Sequence, residues 1–321
     1  MTLTELKKSI TLFINSYWLR EYYMRWKYHR LTATPKCQPM LLAVVDGRMH
    51  VKGLTDRFKG IVSVYALAKA TNTPFRCLHT HPVDLREFLE PNKYDWTIKE
   101  GELSNSVRDV HYRLLRKHLS ARRLLNVMPL HTQMRIYGMR NYIDEINKKY
   151  NTDYRWGQLF NELFKPTECL ERQLAHHRER LGTLGYNACV FRFQSLLGDF
   201  MEYKYKALPA EEQKRLIEKN RNALLGITSR STRPVLVTSD SLRFLEAVDD
   251  IENVYTMPGK VVHIGSVEGE LPEVYMKSFV DFFMLSRADK VYSIGTKIMY
   301  RTDFPCYAAK VNDIPFERIL I

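Results

Sequence analysis

The sequence predicts an α/β protein with two doubly wound parallel sheets facing a cleft, and three observations support this fold class. A chain of 321 residues corresponds to about two domains at roughly 150 residues each. Hydrophobic residues make up 45% and charged residues 26% of the chain, which excludes wholesale disorder, collagen-like repeats and a coiled coil. Strand-like and helix-like runs alternate in both halves, as they do when helices join parallel strands.

The alternation in the first half begins at the dense apolar run Met40–Val45, which predicts a buried strand closed by a turn at Gly47. A helical pattern follows, with Thr55 or Asp56 suited to cap its first turn. A second strand is predicted at Phe75–Thr80. Because strand, loop, helix and strand form a βαβ unit, the loop after the first strand is where an open sheet places its ligand.

The rest of the first half, from Ser104 to about Arg180, is predicted to be mainly helical, with one strand-like piece at Leu124–Pro129. A second alternation begins at Tyr186, and its helix Val274–Ala288 is apolar on nearly every side, so we expect it to be deeply buried. The predicted strands of this half are Tyr186–Phe193, Pro234–Asp240, Val261–Gly265 and Lys290–Gly295, and its predicted helices are Pro209–Leu225, Leu242–Val248, Val274–Ala288 and Phe304–Lys310.

Residues 1–36 form a basic and aromatic segment ahead of the two predicted domains, which span 37–180, with a helical insert, and 181–321. Seven basic and two acidic side chains give this segment a charge of +5. Two interpretations stay open: the segment docks on the body as an amphipathic helix, or it lies on an anionic membrane surface. Its apolar stretch Ile10–Leu19 is too short and too polar for a signal peptide or a bilayer span.

The net charge of +13 calls for an anionic partner. One alternative is a basic nucleic-acid-binding protein, although the chain contains no recognisable RNA-binding module. The five cysteines are scattered and never spaced as C-x-x-C, which disfavours a disulfide framework and a thiolate zinc site. We therefore expect a reducing compartment, either the cytoplasm or the inner face of a membrane. A second basic run, which could also hold the protein near anionic lipid, contains Arg108, Arg113, Arg116, Lys117, Arg122 and Arg123.

Several motifs of nucleotide and metal chemistry are missing from the sequence. There is no G-x-x-x-x-G-K-[ST] phosphate loop and no G-x-G-x-x-G dinucleotide fingerprint, which disfavours kinases, ATPases and dehydrogenases. The sequence also lacks H-E-x-x-H and any Asp-x-Asp pair. Because many nucleotide-sugar enzymes hold a divalent metal with such a pair, an enzyme of that kind built from this sequence is expected to work without a metal.

Four stretches stand out along the chain. "GLTDRFKGI" at 53–61 is similar to a glycine loop of the form G-[LF]-x-[ND]-R-[LF]-x-G, and "VFRF" at 190–193, with "GDF" at 198–200, is similar to a strand-end motif H-x-R-x-x-D. "VTSDS" at 237–241 is similar to an aspartate-bearing strand end, and 277–309 to a closing pattern of buried helix, strand and helix. Together they span most of 40–310 and resemble the GDP-fucose-type glycosyltransferase superfamily, whose fucosyltransferase-like members have two Rossmann-like domains in the GT-B arrangement.

The resemblance implies a metal-independent, inverting glycosyltransferase without a cofactor. It would transfer fucose or a related sugar from a GDP-sugar to a glycan or lipid-linked glycan, as in polysaccharide biosynthesis, and would not bind nucleic acid. No histidine precedes Arg192 as the motif requires, and Asp199 comes late, so a non-catalytic relative is a further alternative. Arg192 matches the motif arginine, which can clamp a diphosphate with parallel hydrogen bonds, or can instead form a salt bridge between domains. The implied donor-binding residues are Arg192, Thr238, Ser239, Asp240, Ser241, Ser293, Gly295, Thr302 and Asp303.

The resemblance also implies an acceptor side in the first domain. Gly53, Asp56 and Arg57 would face the sugar or acceptor across the cleft. A general base, if one is needed, would be His81 or Asp56. Structural roles stay open for the same residues: His81 beside Pro82 can serve the loop, Arg57 can pair with Asp56, and the short polar side chains at 240–241 and 302–303 can cap the helices that follow.

Overall fold

The computed structural model divides the chain into two compact units. The first unit spans Met1–Asp84 and Pro91–Phe164, and the second spans Leu85–Glu90 and Lys165–Ile321. Apart from Ile264, the predicted strand Val261–Gly265 lies outside the described residues, as do 1–16 and 33–36 of the basic segment. The structure describes residues 17–32, 37–49, 53–115, 120–127, 132–200, 206–259, 264 and 271–321.

The first unit contains a four-stranded sheet in the order β2-β1-β5-β4, and each pair of neighbours is parallel. Strand β1, Met40–Val45, is buried at every position and matches the predicted strand. The other strands are β2 Phe75–His79, β4 Val110–Leu114 and β5 Gln133–Tyr137, and the helices are α1 Tyr17–Tyr28, α2 Leu54–Ala70, α3 Ser120–Leu125, α4 Ile143–Tyr150 and α5 Trp156–Leu163.

The prediction of a mainly helical stretch after Ser104 is wrong at β4 and β5. Strand β5 is buried throughout, yet it contains Gln133 and Arg135. The Gln133 amide donates to the Glu102 carbonyl at 2.6 Å, and Arg135 donates to the Ser104 carbonyl at 3.1 Å. Because loop carbonyls satisfy these side chains, the strand tolerates buried polar residues that hide it from a hydropathy pattern. The predicted strand-like piece at 124–129 begins inside α3, and its last two residues lie outside the described chain.

The second unit contains a five-stranded sheet in the order β11-β10-β7-β8-β9, again with parallel neighbours. From the central β7 the chain builds outward first on one side and then on the other, which is the doubly wound pattern. The strands are β7 Asn187–Phe191, β8 Val235–Ser239, β9 Val254–Thr256, β10 Lys290–Gly295 and β11 Phe316–Leu320; the helices are α6 Glu168–Leu181, α7 Ala210–Thr228, α8 Leu242–Glu246, α9 Pro272–Ser286 and α10 Phe304–Val311. A short ribbon pairs β3, Leu89–Pro91, with β6, Phe164–Pro166.

The boundary between the two compact units falls between residues 164 and 165, whereas the sequence analysis predicted a domain boundary between residues 180 and 181. Helix α6 belongs to the second unit because it packs against α9, and the Arg287 guanidinium forms two hydrogen bonds of 2.7 Å with Glu171. The segment 85–90 belongs there as well, because the Phe88 ring stacks on Phe279 with centroids 4.0 Å apart. The expected deep burial of α9 is confirmed, since Phe279, Phe282 and Leu285 are fully buried.

Helix α2 begins at Leu54 with Gly53 as its N-cap, two or three residues before the predicted cap at Thr55 or Asp56. Inside this helix, a Cβ added at Gly60 would lie 1.8 Å from the carbonyl oxygen of Gly138, in the loop after β5. The second glycine of "GLTDRFKGI" is therefore required for the close approach of α2 to that loop. Within the described part of the chain, every helix is too short or too polar to cross a bilayer.

Candidate functional site

Three adjacent strands of the second sheet end at one edge with a polar residue. Arg192 directly follows β7, Asp240 follows β8, and Thr296 follows β10. Phe191 pairs with Ser239 on β8 and with Ile294 on β10, so the three strand ends lie at nearly the same level. The carboxyl edge of an open parallel sheet is where ligands bind, above all beside the strand from which the order reverses. Here that strand is β7.

Arg192 is held at this edge from two sides. Its Nη1 lies 2.8 Å from Oδ2 of Asp240, and the side chains keep 16% and 1% of their surfaces exposed. The guanidinium also lies over the Phe200 ring, 4.8 Å from its centroid, in a cation–π contact. A carboxylate and an aromatic face therefore fix a positive charge that remains partly accessible from solvent.

Asp240 organises the turn that carries Arg192. Its Oδ1 accepts a hydrogen bond from the Phe193 N–H at 2.8 Å, and its Oδ2 accepts one from the Gln194 N–H at 2.7 Å. Gln194 has a left-handed φ of 53°, which is costly for a residue with a side chain. Burial raises the pKa of the Asp240 carboxyl, while Arg192 and the two N–H groups act in the opposite direction. Both carboxylate oxygens thus serve the chain itself, which fits a positioning role better than the implied contact with a donor.

Ser241 caps α8, the helix that follows β8, which is the structural role that the sequence left open for this residue. Its hydroxyl accepts from the Phe244 N–H at 3.2 Å and donates to Oδ2 of Asp199 at 2.8 Å. Asp199 also accepts from the Arg243 N–H at 2.9 Å, so the late aspartate of the motif supports the same helix start. Its other oxygen, Oδ1, is buried and has no hydrogen-bond partner within the described residues.

Thr238 and Ser239, the other candidates on β8, are buried at the end of the strand. The Ser239 hydroxyl accepts from the Ser241 N–H at 3.1 Å. Both side chains are therefore enclosed by the protein at the carboxyl end of β8.

The candidates associated with β10 lie in different places: Ser293 and Gly295 are in the strand, whereas Thr302 and Asp303 directly precede α10. Ser293 lies inside the sheet, paired in register with Val190, whereas Gly295 is the last strand residue and its carbonyl accepts from the Ile321 N–H at 3.0 Å. The Thr302 hydroxyl accepts from the Phe304 N–H at 3.1 Å and so caps the start of α10. The Asp303 carboxylate is 57% exposed, so this side chain is accessible from solvent.

In the first unit, Arg57 is a buried structural group with 1% of its surface exposed. It donates to the carbonyl of His81, and its Nη1 lies 3.5 Å from Nε2 of His79. The second ring nitrogen of His79, Nδ1, lies 3.2 Å from the Val83 carbonyl. Because a carbonyl only accepts, we assign the proton to Nδ1, which leaves Nε2 to accept from Arg57. Burial, and then Arg57, lowers the pKa of His79 to about 3, so this ring is neutral at pH 7.

The remaining first-unit candidates surround the loop between β1 and α2. Asp56 lies in the first turn of α2, with its Oδ1 3.1 Å from Nζ of Lys59, and Gly53 precedes it as the cap. The His81 ring packs over Gly47, where an added Cβ would lie 2.9 Å from Nδ1. The structure thus brings Gly53 and Asp56 to one helix start and places His81 beside the turn after β1.

Asp46 is a polar strand-end residue that sequence reasoning missed. It directly follows β1, and its Oδ2 accepts from the Tyr137 hydroxyl at 2.9 Å and lies 3.3 Å from Nε of Arg48. Burial, and then Asp46, raises the pKa of Tyr137. The sequence contained an indication of this role, because the Asp46 carboxylate stands directly between the predicted strand and the turn at Gly47.

The described residues contain no group of three histidine, cysteine or acidic side chains placed to hold a metal ion. Arg192 contributes a positive charge at the carboxyl edge of the second sheet.

Solved structures with similar folds are fucosyltransferases. A FUT1 variant from Arabidopsis thaliana in complex with GDP matches with a TM-score of 0.57 and 13% identity, over 92% of this chain and 74% of that one. The NodZ alpha-1,6-fucosyltransferase soaked with GDP-fucose matches with a TM-score of 0.51 and 11% identity, over 85% of this chain and 92% of that one; a structure of NodZ from Bradyrhizobium matches equally. No family model and no curated protein matches the sequence. The expected α/β fold, that of fucosyltransferase-like GT-B proteins, is confirmed.

Proposed function

We propose that this protein is a glycosyltransferase that transfers fucose, or a related sugar, from a GDP-sugar to a glycan acceptor. Arg192 carries the proposal: a buried aspartate and an aromatic ring hold its guanidinium at the carboxyl edge of the second sheet. The fold supports it, because the similar FUT1 and NodZ structures were determined with GDP and with GDP-fucose.

The proposed reaction is a single displacement with inversion at the anomeric carbon. A bond forms between the acceptor oxygen and the anomeric carbon, the bond to the β-phosphate oxygen breaks, and its electron pair leaves with GDP. Negative charge grows on the departing phosphate in the transition state. Arg192 stabilises that charge as a preorganised donor, so the guanidinium does the work that a divalent metal does in enzymes with an Asp-x-Asp pair. No cofactor takes part in this reaction.

The acceptor side of the proposal rests on the sequence. The acceptor is a glycan or a lipid-linked glycan in polysaccharide biosynthesis, and the protein works in the cytoplasm or at the inner face of a membrane. His81 and Asp56 are the candidates for the base that takes the acceptor proton. The sequence contains no recognisable nucleic-acid-binding module. In this proposal the excess positive charge therefore attracts anionic lipid or the anionic donor.

A panel of nucleotide sugars tests the proposal directly. Melting temperatures are measured with GDP-, UDP-, CDP- and ADP-sugars, and turnover of the stabilising donor is measured in the presence of EDTA. A ligand at 100 times its dissociation constant stabilises the folded protein by about 2.7 kcal/mol. We expect the largest shift from a GDP-sugar and turnover that EDTA leaves unchanged.

Arg192→Ala is the diagnostic variant, and Arg233→Ala is its matched control. Loss of one preorganised donor costs ~3 kcal/mol of transition-state stabilisation, or roughly a hundredfold in rate. Arg233 also pairs with an aspartate, Asp289, but both side chains are more than 40% exposed, so its loss should leave turnover unchanged. Full activity in Arg192→Ala, or no response to any nucleotide sugar, contradicts the proposal. Tight binding to nucleic acid that weakens steeply with salt would favour the alternative function instead.

A further inference from the structure

Helix α1 covers the free edge of β4 and is anchored there by one carboxylate. Oε1 of Glu21 accepts from the Leu114 N–H at 2.6 Å and from the Arg123 guanidinium, and Oε2 lies 3.5 Å from Nη1 of Arg113. An edge strand that is covered in this way cannot pair with another chain. The anchor also fixes which side of α1 faces the protein and which faces solvent.

A pocket of about 220 Å³ lies between α1 and β4, and we name it the α1–β4 pocket. Besides Glu21, its lining includes Tyr22 and Arg25 from α1 and His111, Tyr112 and Arg113 from β4. Arg25 and Arg113 both line the pocket. Arg113 and Arg123 share the charge of Glu21, and Nε of Arg25 donates to the Val107 carbonyl, so the three arginines together outweigh the one carboxylate. Burial, and then the charges of Arg25 and Arg113, lower the pKa of His111.

The backbone contributes a donor at the same pocket. Alternate residues of a strand direct their N–H groups to the same edge, and the Leu114 N–H points to the free edge, where it meets Glu21. The Tyr112 N–H, two residues earlier, therefore points to the free edge of β4 too. Two guanidinium groups and an N–H around a small cavity form a suitable environment for a phosphate group.

The solvent side of the same helix carries a continuous aromatic and basic surface, which we name the outer stripe: Tyr22, Tyr23, Trp26 and Lys27. The three aromatic side chains are 58%, 57% and 49% exposed, and positions 22, 23, 26 and 27 share one side of a helix. Tyrosine and tryptophan favour the headgroup region of a bilayer. Tyr22 belongs to both features, because it lines the α1–β4 pocket and begins the outer stripe.

We propose that the α1–β4 pocket binds the phosphate of an anionic lipid headgroup while the outer stripe of α1 lies in the bilayer interface. Charge complementarity between the arginines and a headgroup whose phosphate carries an uncompensated negative charge selects the anionic lipid over a zwitterionic one, and the exposed rings provide contact with the membrane. The inference deepens the membrane location included in the proposed function, but it does not depend on the transfer reaction, because lipid binding is measured without donor or turnover.

Co-sedimentation with vesicles tests this site. The full chain is incubated with vesicles of phosphatidylcholine alone and with vesicles of phosphatidylcholine mixed with phosphatidylglycerol. We expect clear preference for the mixed vesicles. Arg113→Gln should weaken that binding by about fivefold, whereas Arg215→Gln, at an exposed position of α7, removes the same charge from another surface and should leave it unchanged. Melting curves of both variants show whether each remains folded.

A second pair of variants addresses the outer stripe without touching the arginines. Trp26→Ser should weaken binding to the mixed vesicles, and Leu184→Ser, which removes a side chain with 79% exposure from the second unit, should not. Equal binding to both vesicle types, or equal losses in Arg113→Gln and Arg215→Gln, overturns the proposal. Two other results also overturn it: calorimetric binding of inorganic phosphate without vesicle binding, which indicates a soluble anion, and a dimer that Trp26→Ser converts to monomer, which indicates a second copy on the stripe.

Discussion

Replacement of Asp240 by asparagine tests whether this buried carboxylate positions Arg192. The substitution keeps the size of the side chain but turns one acceptor oxygen into an NH₂ donor. In the native structure the two oxygens accept from the Phe193 and Gln194 N–H groups and pair with Arg192. An asparagine leaves at least one of these donors without an acceptor and removes the charge opposite the guanidinium. Asp240→Asn is therefore expected to destabilise the turn after β7 and release the arginine.

The burial of the pair sets the magnitude of the effect. Removal of one partner from a fully buried ion pair costs about 3–5 kcal/mol. The Arg192 side chain keeps 16% of its surface exposed and Asp240 keeps 1%, so solvent can partly compensate the arginine and the lower end, about 3 kcal/mol, applies. For a domain of the size of the second unit this corresponds to a fall in melting temperature of roughly 6–12 °C.

The assay compares Asp240→Asn with Asp250→Asn by thermal unfolding and by turnover. Asp250 forms two hydrogen bonds with the Arg221 guanidinium, one of them 2.8 Å long, but its side chain is 68% exposed. The control therefore removes an aspartate–arginine pair in solvent, where such pairs add little to stability. Equal shifts in melting temperature for the two variants would refute the reasoning. So would Asp240→Asn with native turnover, because Arg192 would then not depend on Asp240 for its position.

Two further variants test how the first unit is built. Gly60→Ala places a Cβ 1.8 Å from the Gly138 carbonyl oxygen and should lower the free energy of unfolding by about 3 kcal/mol or more. Its control is Gly226→Ala in α7, where the added carbon meets open space and should raise the free energy of unfolding by about 0.5–1 kcal/mol. Both are measured by denaturant unfolding, and equal effects would contradict the packing argument. The pKa of His79 is lowered to about 3 from about 6.5 in an unfolded chain. Since the unfolded chain binds more protons between these values, stability is complete above pH 6.5 and falls as the pH drops, by at most about 1.4 kcal/mol per unit. His29, with its pKa lowered to about 4, acts in the same direction, as do His111 and His177, whose pKa values are also lowered by burial. His79→Gln should therefore reduce the slope measured between pH 6.5 and 5 without abolishing it, and an unchanged slope would contradict this.

Much of the second sheet could be predicted from the sequence because its central strands β7 and β8 are buried at nearly every position and form dense apolar runs. The predicted strand Lys290–Gly295 matches β10, and the predicted Pro234–Asp240 exceeds β8 by one residue at each end. Strands β9 and β11 were missed. The first has only three residues, and the second, F-E-R-I-L, is half-exposed at the edge of the sheet. Such strands form because they pair with a strand elsewhere in the sequence, and a local hydrophobic pattern does not reveal that pairing.

The candidate site could be predicted in part for the same reason. Arg192 and Asp240 both lie at the carboxyl ends of predicted strands, and parallel strands bring these ends to one edge of a sheet, so their proximity follows from the chain order. The two hydrogen bonds from Asp240 to the backbone at 193 and 194 could not be foreseen, because they depend on the left-handed conformation of Gln194. The structural roles of Ser241 and Thr302 were open alternatives, and the geometry shows that both cap helices.

The two arginines taken from the resembling motifs show why residue type alone does not assign a role. Arg57 and Arg192 come from the two motifs that the sequence linked to the substrate: Arg57 lies in the first turn of α2, and Arg192 directly follows β7. Arg57 is 1% exposed and secures the loop after β2 through the His81 carbonyl, whereas Arg192 is held by Asp240 and Phe200 with its side chain still accessible. A guanidinium can stabilise a departing phosphate only where the phosphate can reach it. Of the two arginines, Arg192 therefore meets the condition for the proposed chemistry, whereas Arg57 holds the loop after β2 in the first unit.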